Sequence, residues 1–191
     1  MSVTTPIRPT ISPKSITAEE FEWIEGEGYY DLIRGEVKEN DSMPGAEHGI
    51  LTFEFGFEVA LYIREQGLGQ CYAAEPRFII ERNPDTAIAP DWAFIVKERL
   101  PEKRGKGFVP MAPDALLEVR SPSDTPREVE EKMQRWIAAG VRLAWELNPT
   151  TQTITVYRPQ QNPSTLGIDD TLSGEEVIPG FAFSLRRLFE E

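Results

Sequence analysis

The sequence has very little cysteine and histidine, and this scarcity excludes several kinds of site. Its 191 residues include one cysteine, Cys71, and one histidine, His48. A single cysteine rules out an intramolecular disulfide and a cysteine-rich zinc site, and it agrees with a reducing, cytoplasmic location. A catalytic triad or a histidine-rich metal site could be built only around His48. We therefore look for chemistry that rests on other residue types.

Long apolar runs and excess basic charge are also missing. No apolar run reaches the roughly 20 residues of a membrane-spanning helix, so we expect no membrane partner. Residues 1–16 lack the apolar core of a signal peptide and are rich in Ser, Thr and Pro, which predicts a disordered or loosely ordered tail. Residues 17–191 suffice for a single domain. The net charge of −12 argues against tight, sequence-independent nucleic-acid binding, and its simplest meaning is solubility.

Hydrophobic periodicity and turn residues predict helices alternating with strands. The helices cover residues 17–25, 46–66 and 126–139, and Gly140 follows the last of them. Residues 29–33 and 36–39 form a hairpin around Arg34 and Gly35. Further strands are predicted at residues 69–74, 77–81, 92–96, 115–120, 142–147 and 153–157, and residues 159–171 form a polar loop. This order predicts an α/β or α+β fold: a mixed β-sheet flanked by helices, with an extra N-terminal β-hairpin.

The helix over residues 46–66 carries two apolar stripes. Ile50, Phe53, Phe57 and Leu61 form the first stripe, and Leu51, Phe55 and Val59 form the second. A helix that is apolar on two sides is expected to be well buried, so we expect it to pack across the sheet.

Two acids and a lysine form the most informative pattern. Asp91 precedes one apolar strand, Glu118 lies within another, and Lys132 lies on the helix that follows. Two carboxylates can hold a hard divalent cation through oxygen, and the cation can activate a water and offset charge on a phosphate. The lysine adds a fixed positive charge at the same place. The pattern therefore favours metal-assisted hydrolysis of phosphodiesters.

Each member of this pattern also has a structural interpretation. Glu118 could form an ion pair with Arg120 or Lys132, since an unpaired buried carboxylate is costly. Lys132, at the edge of the apolar stripe of its helix, could pack its stem and keep its ammonium group in water. Asp91, directly after Pro90, could be a turn residue at the start of a strand.

The loop over residues 99–113 holds the densest group of basic residues in an acidic chain. It joins the two strands that carry the acids, so we expect it to begin and end near those strands. One interpretation is a contact to the phosphate backbone or a lid. The other is a solvated loop.

Several motifs together resemble the Uma-type family of bacterial restriction endonucleases, within the PD-(D/E)XK nuclease superfamily. The resemblance covers about residues 17–190 and rests on segments that are specific in combination. These segments are residues 30–36 (YDLIRGE), Pro90-Asp91, residues 118–124 (EVRSPSD), residues 131–133 (EKM), residues 139–141 (AGV), Trp145, Asn148-Pro149 and residues 172–181 (LSGEEVIPGF). The resemblance implies a restriction endonuclease-like core, a Mg²⁺ site (with Mn²⁺ as a substitute) and phosphodiester hydrolysis.

The resemblance also implies roles for individual residues. Asp91 and Glu118 match the metal-binding acids, with the Val119 carbonyl as a third ligand. Lys132 matches the lysine that has moved from the strand to the next helix. Arg120 stands where the superfamily has that lysine, and it is expected to pair with Glu118 or contact phosphate.

Two further matches are weaker. Glu36, in the hairpin, matches an acid typical of the family and is expected to support the first metal or bind a second. His48, near the start of the long helix, matches a frequent histidine and is a lesser candidate. In two other places the chain departs from the family pattern, with Asn148 before Pro149 and with Asp31 where glutamate is usual.

The leading hypothesis is a cytoplasmic Mg²⁺-dependent endonuclease that acts on nucleic acid, with DNA as the favoured substrate and a homodimer suited to cutting both strands. The alternative is a catalytically silent nuclease-fold module that binds nucleic acid or protein. A third hypothesis is a metal-dependent enzyme acting on another phosphate substrate, although no glycine-rich phosphate loop supports nucleotide binding.

Overall fold

A six-stranded mixed sheet lies at the centre of the structure, a computed structural model that describes residues 15–24, 30–39, 45–103 and 105–189. The helices are α1 (Ala18–Glu22), α2 (Ala46–Gln66), α3 (Pro126–Ala138) and α4 (Arg186–Phe189). The strands are β1 (Tyr30–Ile33), β2 (Glu36–Glu39), β3 (Gly69–Tyr72), β4 (Phe78–Glu81), β5 (Thr86–Ile88), β6 (Trp92–Val96), β7 (Ala115–Val119), β8 (Leu143–Asn148), β9 (Thr153–Tyr157), β10 (Ser164–Leu166), β11 (Thr171–Ser173) and β12 (Ala182–Ser184). Residues 1–14 of the expected N-terminal tail lie outside the described residues.

The central sheet has the strand order β10-β9-β8-β7-β6-β3, and only its β7–β8 pair is parallel. A four-stranded sheet, β2-β1-β5-β4, contains the predicted hairpin, and β11 pairs with β12. The hairpin turn places Arg34 at φ 50° and Gly35 at φ 78°, the positive values that two-residue hairpin turns require. The predicted mixed sheet with flanking helices and an N-terminal hairpin is therefore confirmed.

Helix α2 covers one face of the central sheet with only one of its two stripes. Leu51, Phe55 and Val59 are buried, and they pack against strand residues such as Leu117 and Trp145. The expectation that both stripes are buried was wrong. The sheet forms a layer on one side of α2, and the described residues form none on its outer side.

Helix α3 covers the opposite face. Thr125 and Glu128 form a reciprocal capping box at its start, and Pro126 occupies the first turn. Met133 and Trp136 are fully buried in a second cluster with Leu116 and other residues of the sheet. The elements on both faces thus enclose β7, the strand that carries Glu118.

Several short strands were missed from the sequence. β5, β11 and β12 have three residues each, and β10 lies within the predicted polar loop over residues 159–171. Three residues are too few to show a period of two, so alternation could not reveal these strands.

No helix in the described part of the chain is long and apolar enough to cross a membrane.

Candidate metal and phosphodiester site

The two predicted acids come together at one end of the antiparallel pair formed by β6 and β7. Trp92 lies opposite Leu117, so Asp91, which directly precedes β6, lies beside the end of β7 where Glu118 is found. Oδ2 of Asp91 accepts a hydrogen bond of 2.7 Å from the backbone N–H of Val119. Strand register therefore fixes the position of both carboxylates.

Helix α3 supplies two partners for the Glu118 carboxylate. Lys132 Nζ donates to Oε2 at 2.6 Å, and Trp136 Nε1 donates to Oε1 at 2.8 Å. Residues four apart on a helix lie on the same face, which is why both side chains reach one carboxylate. Glu118 itself is buried. The structure thus brings Lys132 to the acid that the sequence pattern associated with it.

The charges in this cluster influence one another. Burial, helped by the charge of Asp91, raises the pKa of Glu118 to about 7 against the opposing effects of Lys132 and Trp136. Burial works against the charged form of Lys132, but the Glu118 and Asp91 carboxylates raise its pKa above the ordinary value. The lysine therefore stays protonated at neutral pH. A negative charge on Glu118 is disfavoured by burial and by the charge that Asp91 already carries beside it.

His48 is held against Asp91 from the first turn of α2. Its Nε2 lies 3.2 Å from Oδ2 of Asp91. The hydrogen bond to Asp91 raises the pKa of His48 against the effect of burial, and the charge of Glu118 and a hydrogen bond to the Val119 backbone raise it further. The only histidine of the chain thus lies within the predicted site.

Two other predicted residues are not brought into this cluster. Arg120 does not pair with Glu118, whose two oxygens accept hydrogen bonds from Lys132 and Trp136. Nη1 of Arg120 instead lies 4.0 Å from Oε1 of Glu146. Glu36 has an exposed side chain on β2, and it pairs with Lys38 at 3.1 Å.

Trp136 and Glu146 were not predicted as members of the site. Trp136 lies four residues after Lys132 on the same apolar stripe, so helical spacing could have predicted that it also reaches Glu118. Glu146 is buried on β8, in register with Glu118 on the parallel strand β7, and burial raises its pKa. Its signal was an acid inside an apolar strand, which is the same feature that identified Glu118.

The basic loop lies at the other end of the strands. It follows the end of β6 and precedes the start of β7, whereas Asp91 precedes β6 and Glu118 is near the end of β7. The loop thus begins and ends at these two strands, as expected, but at the strand ends opposite the acids. Arg99, at the start of the loop, pairs with buried Asp114 at 2.9 Å and donates to the Ala112 carbonyl.

A groove of about 310 Å³ runs beside Lys132. The side chain of Lys132 is 40% exposed, so it can contact both Glu118 and a molecule in the groove. Asp31, Lys38 and Arg135 also line the groove. Its charge is mixed, because these three cations, Lys132 included, share the lining with four acids.

Within the described ranges, no three His, Cys, Asp or Glu side chains are grouped to hold a metal ion. A cation at this site would therefore depend on two carboxylates, a backbone carbonyl and water. Mg²⁺ accepts such a set, because it keeps several waters and needs few protein ligands.

The mixed sheet with its flanking helices has a restriction endonuclease-like fold. A crystal structure from Anabaena variabilis ATCC 29413, described as a "putative nuclease belonging to DUF820", superposes with a TM-score of 0.77 at 24% identity. The match covers 91% of this chain and 97% of the Anabaena chain. No curated protein matches the sequence.

The Uma2 family model, described as "Putative restriction endonuclease", matches residues 18–186. The chain belongs to this family.

Proposed function

We propose that this protein is a metal-dependent nuclease that hydrolyses phosphodiester bonds of nucleic acid, with DNA as the expected substrate. The observation that carries the proposal is the meeting of Asp91 and Glu118 at adjacent strand ends, with Lys132 hydrogen-bonded to Glu118. Membership of a family of restriction endonucleases supports the reaction class. The similar fold of the Anabaena protein, which is described as a nuclease, also supports it.

The donor set suits Mg²⁺, with Mn²⁺ as a substitute. Asp91, Glu118 and the Val119 carbonyl offer the oxygen ligands that a hard cation prefers. The raised pKa of Glu118 supports this assignment, because burial disfavours its negative charge more than Lys132 and Trp136 stabilise it. A bound divalent cation supplies that compensation, an activated water and stabilisation of charge on the phosphate.

The other residues of the site would hold the reacting groups in position and stabilise their charge. Lys132 can hold the attacking water and a phosphate oxygen, because its ammonium group has three donors and uses one on Glu118. His48 holds the Asp91 carboxylate through this contact and, when neutral, could accept a proton from water. Nucleic acid would enter along the groove beside Lys132. Arg120 lies 4.0 Å from Glu146 and has further guanidinium donors that could contact a phosphate.

One observation favours a catalytically silent binding module instead. The 2.6 Å contact between Lys132 and Glu118 gives the buried acid a partner without any metal. A structural ion pair of this kind is the alternative interpretation of the same residues. Metal binding distinguishes the two functions, because only the nuclease needs a cation at Asp91 and Glu118.

The first experiment measures Mn²⁺ binding by calorimetry on the wild type, Asp91→Asn and Glu118→Gln. Both substitutions keep the size of the side chain, and circular dichroism checks the fold. Asp169→Asn is the matched control, because Asp169 is exposed and pairs with Arg186 on another part of the surface. We expect binding in the wild type and the control, and loss of binding in both site variants.

The second experiment measures cleavage of supercoiled plasmid, single-stranded DNA and RNA in Mg²⁺ or Mn²⁺. Cleavage by the wild type and by Asp169→Asn, with loss in Asp91→Asn, Glu118→Gln and Lys132→Met, supports the assignment. Cleavage that persists in a folded Asp91→Asn or Glu118→Gln variant contradicts it. A wild type that binds no metal, even with DNA present, identifies the site as a structural ion pair and favours the binding module.

A further inference from the structure

The outer side of α2 is an exposed apolar surface that the candidate site does not use. Ile50, Phe53 and Phe57 are 60%, 66% and 52% exposed. The rings of Phe53 and Phe57 stack at a centroid distance of 6.2 Å with an interplanar angle of 21°. Single exposed apolar residues are ordinary, but a contiguous group with two stacked aromatic rings marks an interaction surface.

The helical spacing extends this surface along most of α2. Residues three, four and seven apart share a face, so the exposed apolar residues align with small neighbours. We call this group the α2 outer stripe, and it consists of Ala46, Gly49, Ile50, Phe53, Phe57, Ala60 and Leu61. Its members are exposed or half-buried. Small residues at both ends allow another helix to approach closely.

We propose that the α2 outer stripe binds the same stripe of a second copy of this chain, with the two helices antiparallel. A two-fold axis between Phe53 and Phe57 places Phe53 of each copy against Phe57 of the other copy. A closed two-fold interface uses one self-complementary patch on both copies. The proposal concerns oligomeric state and is independent of the nuclease activity.

Charge at the two ends of the stripe favours the antiparallel arrangement. Glu47 lies in the first turn of α2 and Arg64 in its last turn, and neither has an ion-pair partner among the described residues. With Phe53 opposite Phe57, Glu47 of each copy lies beside Arg64 of the other. A parallel pair would instead place Glu47 beside Glu47, in a chain whose net charge is −12. Antiparallel helix dipoles also attract.

The flanks of the stripe disfavour other occupants. Glu54 and Glu65 are exposed beside it. These acids repel nucleic acid and anionic lipid, which leaves an apolar protein surface as the partner. The helix is about 31 Å long, and a single helix pair buries less than the roughly 800 Å² per partner of a standard interface. We therefore expect a dimer that dissociates on dilution.

The arrangement has a consequence for the candidate site. His48 lies in the first turn of α2, directly beside Gly49 of the stripe. In the antiparallel pair the two His48 residues are separated by roughly 20 Å along the helix axes. Two copies of the site would then lie at opposite ends of one interface.

The test is the molar mass of the full chain in solution, measured by sedimentation equilibrium over a range of concentrations. We expect the wild type to approach twice the chain mass of 21.6 kDa. Phe53→Glu is expected to stay monomeric while keeping the circular dichroism spectrum of the wild type. Trp23→Glu is the control, because Trp23 is 84% exposed and lies outside the stripe.

Charge reversal tests the antiparallel register. Glu47→Arg or Arg64→Glu alone is expected to weaken the dimer, and the double variant is expected to restore it. A dimer that survives Phe53→Glu overturns the proposal, and so does a wild type that is monomeric at every concentration. Dimerisation that appears only after deletion of residues 1–14 identifies that segment as the occupant, and it also overturns the proposal.

Discussion

Nε2 of His48 lies 3.2 Å from Oδ2 of Asp91, and this contact joins the start of α2 to the residue that precedes β6 at the candidate metal site. The same Oδ2 accepts the N–H of Val119. A protonated His48 thus places positive charge directly beside the carboxylate that is proposed to hold a cation. Histidine protonation and metal binding should therefore oppose each other here.

The pKa of His48 should lie above its usual value of about 6.5, because Asp91 stabilises the protonated ring. Asp91→Asn removes that charge, so we expect the pKa of His48 to fall. Since the chain has one histidine, ring proton resonances of the untagged protein report it without assignment. Asp169→Asn should leave the titration unchanged. An equal His48 pKa in the wild type and Asp91→Asn would show that the contact does not persist in solution.

Affinity for Mn²⁺ should rise as the pH increases through about 7. Glu118 must lose its proton to bind a cation, and burial raises its pKa to about 7. Below that pH a proton competes with the metal, which costs about tenfold in affinity for each pH unit. Loss of the proton on His48 acts in the same direction, so His48→Gln serves as the background that isolates Glu118.

Lys132→Met provides the sharper form of this experiment. The charge and hydrogen bond of Lys132 lower the pKa of Glu118, so their removal should shift the pH midpoint of Mn²⁺ binding upward. Calorimetry at several pH values, with and without the Lys132→Met substitution, measures this midpoint. Affinity that is flat between about pH 6 and pH 8 would contradict the assignment of Glu118 as a ligand with a raised pKa.

The sequence allowed Glu118 and Lys132 to be predicted because each breaks a simple pattern. Glu118 is an acid inside an apolar strand, and Lys132 is a cation at the edge of an apolar helical stripe. Strand alternation and helical spacing alone place them on facing surfaces. Asp91 became part of the site through the β6–β7 register, which the sequence does not encode locally.

Other features depended on tertiary structure that local patterns do not specify. The two stripes of α2 are similar in hydrophobicity, and only the position of the sheet decides which is buried. The Arg120–Glu118 pair, one of two roles expected for Arg120, is not formed, and α3 supplies the two donors to that carboxylate. The position of the basic loop depends on the direction of β6 and β7, since each site acid lies at the opposite strand end.

The hydrogen bond between Trp136 and Glu118 should contribute measurably to stability. Trp136→Phe removes the Nε1 donor from a buried carboxylate, and hydrogen bonds to charged groups contribute about 1.5–3 kcal/mol. Trp145 is a matched control, because it is equally buried and its Nε1 has no hydrogen-bond partner among the described residues. We expect Trp136→Phe to lower the free energy of unfolding by about 1.5–3 kcal/mol more than Trp145→Phe does.

Urea unfolding near pH 8, where Glu118 is ionised, measures this difference. The two tryptophans also differ in packing, since Trp145 contacts the rings of Phe55 and Trp92. A double-mutant cycle with Glu118→Gln separates the hydrogen bond from these contacts. We expect Trp136→Phe to cost less in the Glu118→Gln background, because the charged acceptor is then gone. Equal costs in both backgrounds would show that Trp136 stabilises the fold through packing alone, and that Lys132 is the only stabilising partner of the Glu118 carboxylate.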